Sequence, residues 1–193
     1  MGTVFEEDLN DEFIWTTRET ARDENGVLQG RHTLFDNGVD RSEVFENGML
    51  SYQQDIDGAQ DAKPWQSLEK YYTQNGQIGA KVELRDNDIL IESVYENGVI
   101  NYKSWTDDQN TDAASWQRIE EYYNPDGERA ARIEQRDNNV SIETIYENGV
   151  ISNRVWRDDE ATDATNWQQI EEYYDTNGER VARIELKDND ISI

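Results

Sequence analysis

The residues whose types and spacing could do chemistry are aspartates in three links, DIDGAQDAKPW from Asp55, TDDQNTDAASW from Thr106 and RDDEATDATNW from Arg157. Asp57, Asp108 and Asp159 each stand eight residues before the tryptophan that closes the link, and Asp61, Asp112 and Asp163 stand four before it. Hard cations take clustered carboxylate oxygens, so with Asp55 these residues form a candidate Ca²⁺ set, and calcium is the one cofactor the sequence suggests. The same aspartates also read as caps. Thr111-Asp112 and Thr162-Asp163 could satisfy the free amides of one helical turn leading into the tryptophan. Capping is the stronger reading, because the links lack the full spacing of a calcium loop.

Other chemistry is scarce. His32 is the single histidine and there is no cysteine, so a nucleophile–base pair or a thiolate metal site has almost nothing to be built from. With 43 acidic residues, carboxylate pairs of the glycosidase kind arise everywhere by chance and none stands out. The expectation is a protein that is not an enzyme. The pairs Tyr71-Tyr72, Tyr122-Tyr123 and Tyr173-Tyr174 and the tryptophans could stack on a sugar or a base, but their regular recurrence makes them structural rungs first. Base stacking also needs a cationic groove, for which the sequence gives no sign.

Charge narrows the partners. A formal net charge of -25 argues against nucleic acid or an anionic membrane, since such ligands require Lys and Arg to neutralise phosphates. No apolar run approaches the ~20 residues of a helical membrane span. Only 35% of residues are apolar against 32% charged, and mean hydropathy is -1.02, which favours a thin, repetitive structure over a thick core. Six Trp, ten Tyr and four Phe argue against disorder.

The elements that hold these residues follow a period. Trp15, Trp65, Trp116 and Trp167 are separated by 50, 51 and 51 residues, and the text after Trp116 nearly repeats the text after Trp167. The organisation reads as a lead-in (1–14), a degenerate repeat (15–64), two further repeats (65–115 and 116–166) and half of a fourth (167–193). FENGM at 45, YENGV at 95 and YENGV at 146 punctuate it. Asn-Gly between alternating apolar residues signals a two-residue type I′ hairpin. A plain register about Asn148-Gly149 puts Glu143 opposite Arg154 and Ile142 opposite Val155. Val140, Ile142, Thr144, Tyr146, Ile151, Asn153 and Val155 then share one face, and Ser141, Glu143, Ile145, Ser152, Arg154 and Trp156 share the other. The same exercise about Asn97-Gly98 puts Glu92 opposite Lys103.

A second hairpin in each repeat turns at Asn75-Gly76, at Asn124-Pro125-Asp126-Gly127 and at Asn177-Gly178, as a type I turn followed by a left-handed glycine. Its strands set Glu120 and Glu121 against Arg129 and Arg132. Arg85-Asp86-Asn87, Arg136-Asp137-Asn138 and Lys187-Asp188-Asn189 join one hairpin to the next. About fourteen antiparallel strands follow, in an all-β, elongated, open and twisted array of stacked hairpins. A closed barrel or propeller is the alternative.

The pattern of YENGV, a DD- and DA-containing link, Trp, then YY with NG or DG resembles a tandem repeat of large repeats-in-toxin (RTX) type secreted proteins of marine bacteria. More loosely it is similar to the YD and MORN hairpin repeats. The RTX resemblance implies a spacer or adhesin-like scaffold region, exported without an N-terminal signal and cut from a longer chain. The GGxGxD calcium nonapeptide of that group is missing, and the chain has no Gly-Gly at all. The expected function is therefore a non-enzymatic extracellular repeat scaffold, its partner protein, including a second copy joined by exposed strand edges. The alternative is a cytoplasmic acidic binding module, such as an immunity protein or DNA mimic.

Overall fold

The structure is a computed structural model and describes residues 2–10, 13–58, 63–107, 114–158 and 165–188. Asp61, Asp108, Asp112, Asp159 and Asp163, with the Thr111 and Thr162 caps, lie outside the described residues. The chain divides into two compact units, residues 1–98 and 99–193.

Residues 1–98 carry β1 (Gly2–Glu7), β2 (Trp15–Arg22), β3 (Leu28–Phe35), β4 (Val39–Glu46), β5 (Met49–Asp57), β6 (Trp65–Tyr72), β7 (Ile78–Arg85) and β8 (Leu90–Glu96). Residues 99–193 carry β9 (Val99–Thr106), β10 (Trp116–Tyr123), β11 (Arg129–Arg136), β12 (Ser141–Glu147), β13 (Val150–Arg157), β14 (Trp167–Tyr174) and β15 (Arg180–Lys187). The sheet is antiparallel and its strand order is the chain order, β1 through β15, so it does not close into a barrel or a propeller. No helix occurs among the described residues. The lead-in supplies a strand, β1, which pairs with β2 from Gly2↔Arg22 to Glu7↔Thr17.

Turn chemistry explains this meander. Asn47-Gly48, Asn97-Gly98 and Asn148-Gly149 have φ of 51°/79°, 52°/81° and 51°/76°, the double positive φ that a type I′ turn requires. At the second turn class the Gly127 N–H donates to the Asn124 carbonyl at 2.9 Å and the Asn124 N–H to the Glu128 carbonyl at 2.9 Å, with Gly127 at φ 82°. The Asn124 side chain locks it by accepting from the Asp126 and Glu128 amides at 3.0 and 2.9 Å. The joining segments repeat this plan, with Asp88 (φ 61°) and Asn139 (φ 62°) in the left-handed position, which Asn and Asp tolerate better than other side chains.

The plain register about Asn148-Gly149 needs correction. Glu147↔Val150 and Tyr146↔Ile151 hold, but a bulge at Ser152 then gives Ile145↔Asn153, Thr144↔Arg154, Glu143↔Val155 and Ile142↔Trp156. The Ser152 hydroxyl donates to the Ile145 carbonyl at 3.5 Å, and Ser51 does the same to Val44 at 3.2 Å beside the matching bulge of β4–β5. One extra residue exchanges the faces of everything beyond it. Arg154 and Trp156 therefore share a face with Ile142 and Thr144, while Asn153 and Val155 join Ile145 and Glu143. The base that meets Glu143 is Arg157, at 3.1 Å.

The buried layer is thin and half polar. In residues 99–193 it holds Ile119, Val140, Ile142, Val155 and Ile170 together with Glu121, Thr144 and Glu172. Residues 1–98 bury Trp15, Val39 and Ile91 beside Glu43, Gln53 and Asp55. Long Arg and Lys stems can cover such apolar neighbours while their charged heads stay wet.

Candidate functional site

The link aspartates divide by role. Asp55 points into the charge ladder of β4 and β5, 3% exposed, where Arg41 Nε lies 2.6 Å from its Oδ1 and Arg41 Nη2 lies 3.2 Å from Oδ2. Asp57 begins a link, its Oδ2 accepting the Lys63 amide at 2.8 Å. The equivalent acceptors in later links are Asp107, from the Ala114 amide at 2.7 Å, and Asp158, from the Thr165 amide at 2.7 Å. Asp8 holds the Phe13 amide at 2.7 Å in the same way. Asp107 and Asp158 each directly precede a sequence candidate, Asp108 and Asp159, that lies outside the described residues. The usable signal is the aspartate that ends or directly follows the strand leading into each link, Asp8 after β1, Asp57 at the end of β5, Asp107 after β9 and Asp158 after β13; the later links are a residue longer than the one after Asp57. The second oxygens of Asp57, Asp107 and Asp158 are buried and have no hydrogen-bond partner among the described residues.

One face of residues 99–193 carries a ladder of alternating charge. Cross-strand partners run Lys103↔Glu121↔Arg132↔Thr144↔Arg154↔Glu172↔Arg183. Glu121 receives Arg129 at 2.6 Å and Arg132 at 3.3 Å; Glu134 receives Arg132 at 3.0 Å and Arg136 at 2.8 Å. The plan recurs as Arg180 and Arg183 on Glu172, and Arg183 and Lys187 on Glu185. The expected facing of Glu121 with Arg129 and Arg132 is thus present. Glu120 instead lies on the opposite face, 2.9 Å from Arg118 and accepting the Tyr102 hydroxyl at 2.8 Å.

Electrostatics follow from this geometry. Burial pushes Glu121 up, but the Tyr123 hydroxyl, the Arg129 hydrogen bond and the charges of Arg129 and Arg132 outweigh it and hold the carboxyl below its ordinary value. Glu134 and Glu172 are lowered by the same balance. Tyr123 is pushed up to about 12, first by burial and then by its bond to Glu121.

Adjacent tyrosines alternate between faces. Tyr123 and Tyr174 donate to Glu121 and Glu172 on the ladder face. Tyr102 and Tyr122 meet on the other face with centroids 5.2 Å apart, and Tyr52 and Tyr71 do so at 5.1 Å. His32 sits on β3, its Nε2 2.6 Å from an Asp40 carboxylate oxygen.

Between β11, β12 and β13 the ladder face opens into a groove of about 410 Å³, lined by Arg129, Arg132, Arg136, Arg154, Glu134, Ile142, Thr144, Tyr146 and Trp156. The sequence reading missed it because the unbulged register sent Arg154 and Trp156 to the wrong side. Among the described residues no group of three or more His, Asp and Glu side chains is placed to hold a metal. Comparison with protein-family profiles finds no matching family, and comparison with curated proteins finds no similar sequence.

Proposed function

We propose that this chain is a non-enzymatic repeat scaffold, an adhesin-like spacer of secreted RTX type, that joins to further copies through strand edges. The observation that carries the reading is a sheet in which every strand pairs only with its chain neighbours. Such an array adds length by adding repeats and leaves an unpaired ladder at its end strands. β1 is exposed along its whole length and carries Val4 and Phe5 at 54% and 65% exposure. Extended edges of this kind recruit a further strand by main-chain hydrogen bonds.

Size-exclusion chromatography with light scattering tests it. Mass that rises with concentration, and that falls when Val4 is replaced by proline, supports edge pairing; a strict monomer at high concentration removes it.

Calcium at the links is a second reading, favoured by the buried, unbonded second oxygens of Asp57, Asp107 and Asp158. A ligand of the folded state raises its melting temperature. Chelator-treated protein therefore melts higher in millimolar Ca²⁺ on this reading, and an unchanged midpoint eliminates it.

A further inference from the structure

We infer that the groove over β11–β13 binds an acidic saccharide, a sugar ring bearing a carboxylate. The inference starts from a local excess of positive charge in a chain of net charge -25. Glu121, Glu134 and Glu172 are the ladder carboxylates facing this region. They are engaged by Arg129, Arg132, Arg136, Arg180 and Arg183. Arg154 has no carboxylate within ion-pair distance among the described residues. Its Nε donates to the Thr144 hydroxyl at 3.2 Å, and its guanidinium carbon lies 5.5 Å from the Trp156 ring centroid. An arginine held by a neutral hydroxyl and an aromatic face keeps its remaining donors for an incoming anion.

The rest of the lining selects the anion. Tyr146, one face of which Arg129 covers at 4.5 Å, and Trp156 line the groove with aromatic surface against which the apolar side of a sugar can pack. Glu134 and Thr144 offer acceptors to its hydroxyls. A groove of about 410 Å³ falls in the range of small-ligand sites. Inorganic sulfate or phosphate would satisfy the guanidinium but leave both rings unused. Neutral sugar would use the rings and leave Arg154 uncompensated.

The position is specific to one repeat. Where repeat 116–166 has Arg129 and Arg154, the aligned positions of repeat 65–115 hold Ile78 and Lys103. A bidentate guanidinium is not reproduced by a lysine, so one site per chain is expected.

The experiment titrates full-length protein with digalacturonate, with galactose and with sodium sulfate, by calorimetry and by the indole N–H resonance of Trp156. Expected are one digalacturonate per chain, a shift of that resonance, and weakening at raised salt. Arg154→Gln should lower the affinity at least tenfold, while Arg118→Gln, on the opposite face beside Glu120, leaves it within twofold. The indole shift in the unaltered protein keeps the test decisive even where Arg154→Gln fails to fold. Failure of digalacturonate to bind, equal binding of galactose, or displacement by sulfate at equal concentration overturns the inference. Because no residue of β1 lines the groove, these outcomes are independent of whether copies join at their edges.

Discussion

Glu121 collects three donors in a place where an unpartnered carboxylate would be expelled: Tyr123, Arg129 and Arg132. Its folded-state pKa lies below the ordinary range, so the stability it contributes is complete above the unfolded value and is lost as pH falls through the folded one. Glu121→Gln is therefore expected to cost about 1–3 kcal/mol at neutral pH and to flatten the acid limb of the stability curve, read by urea denaturation between pH 3 and 7. Tyr123 works in the opposite sense. Its pKa of about 12 makes its contribution full below the unfolded value near 10 and lost as pH rises toward 12. Replacing it with phenylalanine should reduce the loss of stability on the alkaline side. Gly127 is a third residue with a defined cost. Its φ is +82°, and an added Cβ would stand 3.3 Å from Val99 Cγ1. Gly26 has the same kind of φ with open space around it. Gly127→Ala should destabilise by about 1–2 kcal/mol or more from the left-handed backbone alone, and by more than Gly26→Ala, because only there is contact added to strain.

At the scale of elements, hairpins were legible because their turns are written in residues with few alternatives. Asn148-Gly149 can be little else than a type I′ turn, and Asn124-Pro125-Asp126-Gly127 little else than a type I turn with a left-handed glycine. The joins at Arg85 and Arg136 proved to be hairpins of the same bulged kind, which the Asp and Asn in their left-handed positions disguise. The Ser152 bulge had no comparable signal. Serine is common, and the hydrogen bond that holds it, to the Ile145 carbonyl, involves a residue seven positions away. That single unreadable residue moved Arg154 and Trp156 to the ladder face and concealed the groove. Deleting Ser152 removes the extra residue itself, so the pairs Ile145↔Asn153 to Ile142↔Trp156 and their faces are expected to persist. The expected cost is that of the lost bulge hydrogen bond, about 1 kcal/mol, measured by thermal melting; a loss of several kcal/mol would contradict the bulge. Among the described link aspartates, Asp57 was legible and Asp107 and Asp158 were not. Asp57 was named for its spacing from Trp65, but spacing from the preceding strand is what sets the acceptor, as Asp107 and Asp158 show.

For the whole molecule, a composition of 35% apolar and 32% charged residues is accommodated by a sheet stabilised rung by rung. Opposed charges and aromatic–cation contacts each contribute a fraction of a kcal/mol, and repetition supplies the number. Stability is then a sum of neighbour terms, as in other repeat architectures. A chain so built is expected to be salt-sensitive, with its partly exposed ion pairs weakening as the Debye length shrinks. Against this, screening also relieves the repulsion of a net charge of -25. Arg132→Met, which keeps the stem and removes the charge, separates the two: the variant should gain more stability than the unaltered protein between 0.05 and 0.5 M NaCl. The claim on which ladder, groove and faces all depend is the bulged register of β12 and β13. Cross-strand proton contacts by nuclear magnetic resonance test it most directly. The account predicts main-chain contacts of Arg154 with Thr144 and of Trp156 with Ile142, and contacts of Arg154 with Glu143 and of Val155 with Ile142 in their place would contradict it.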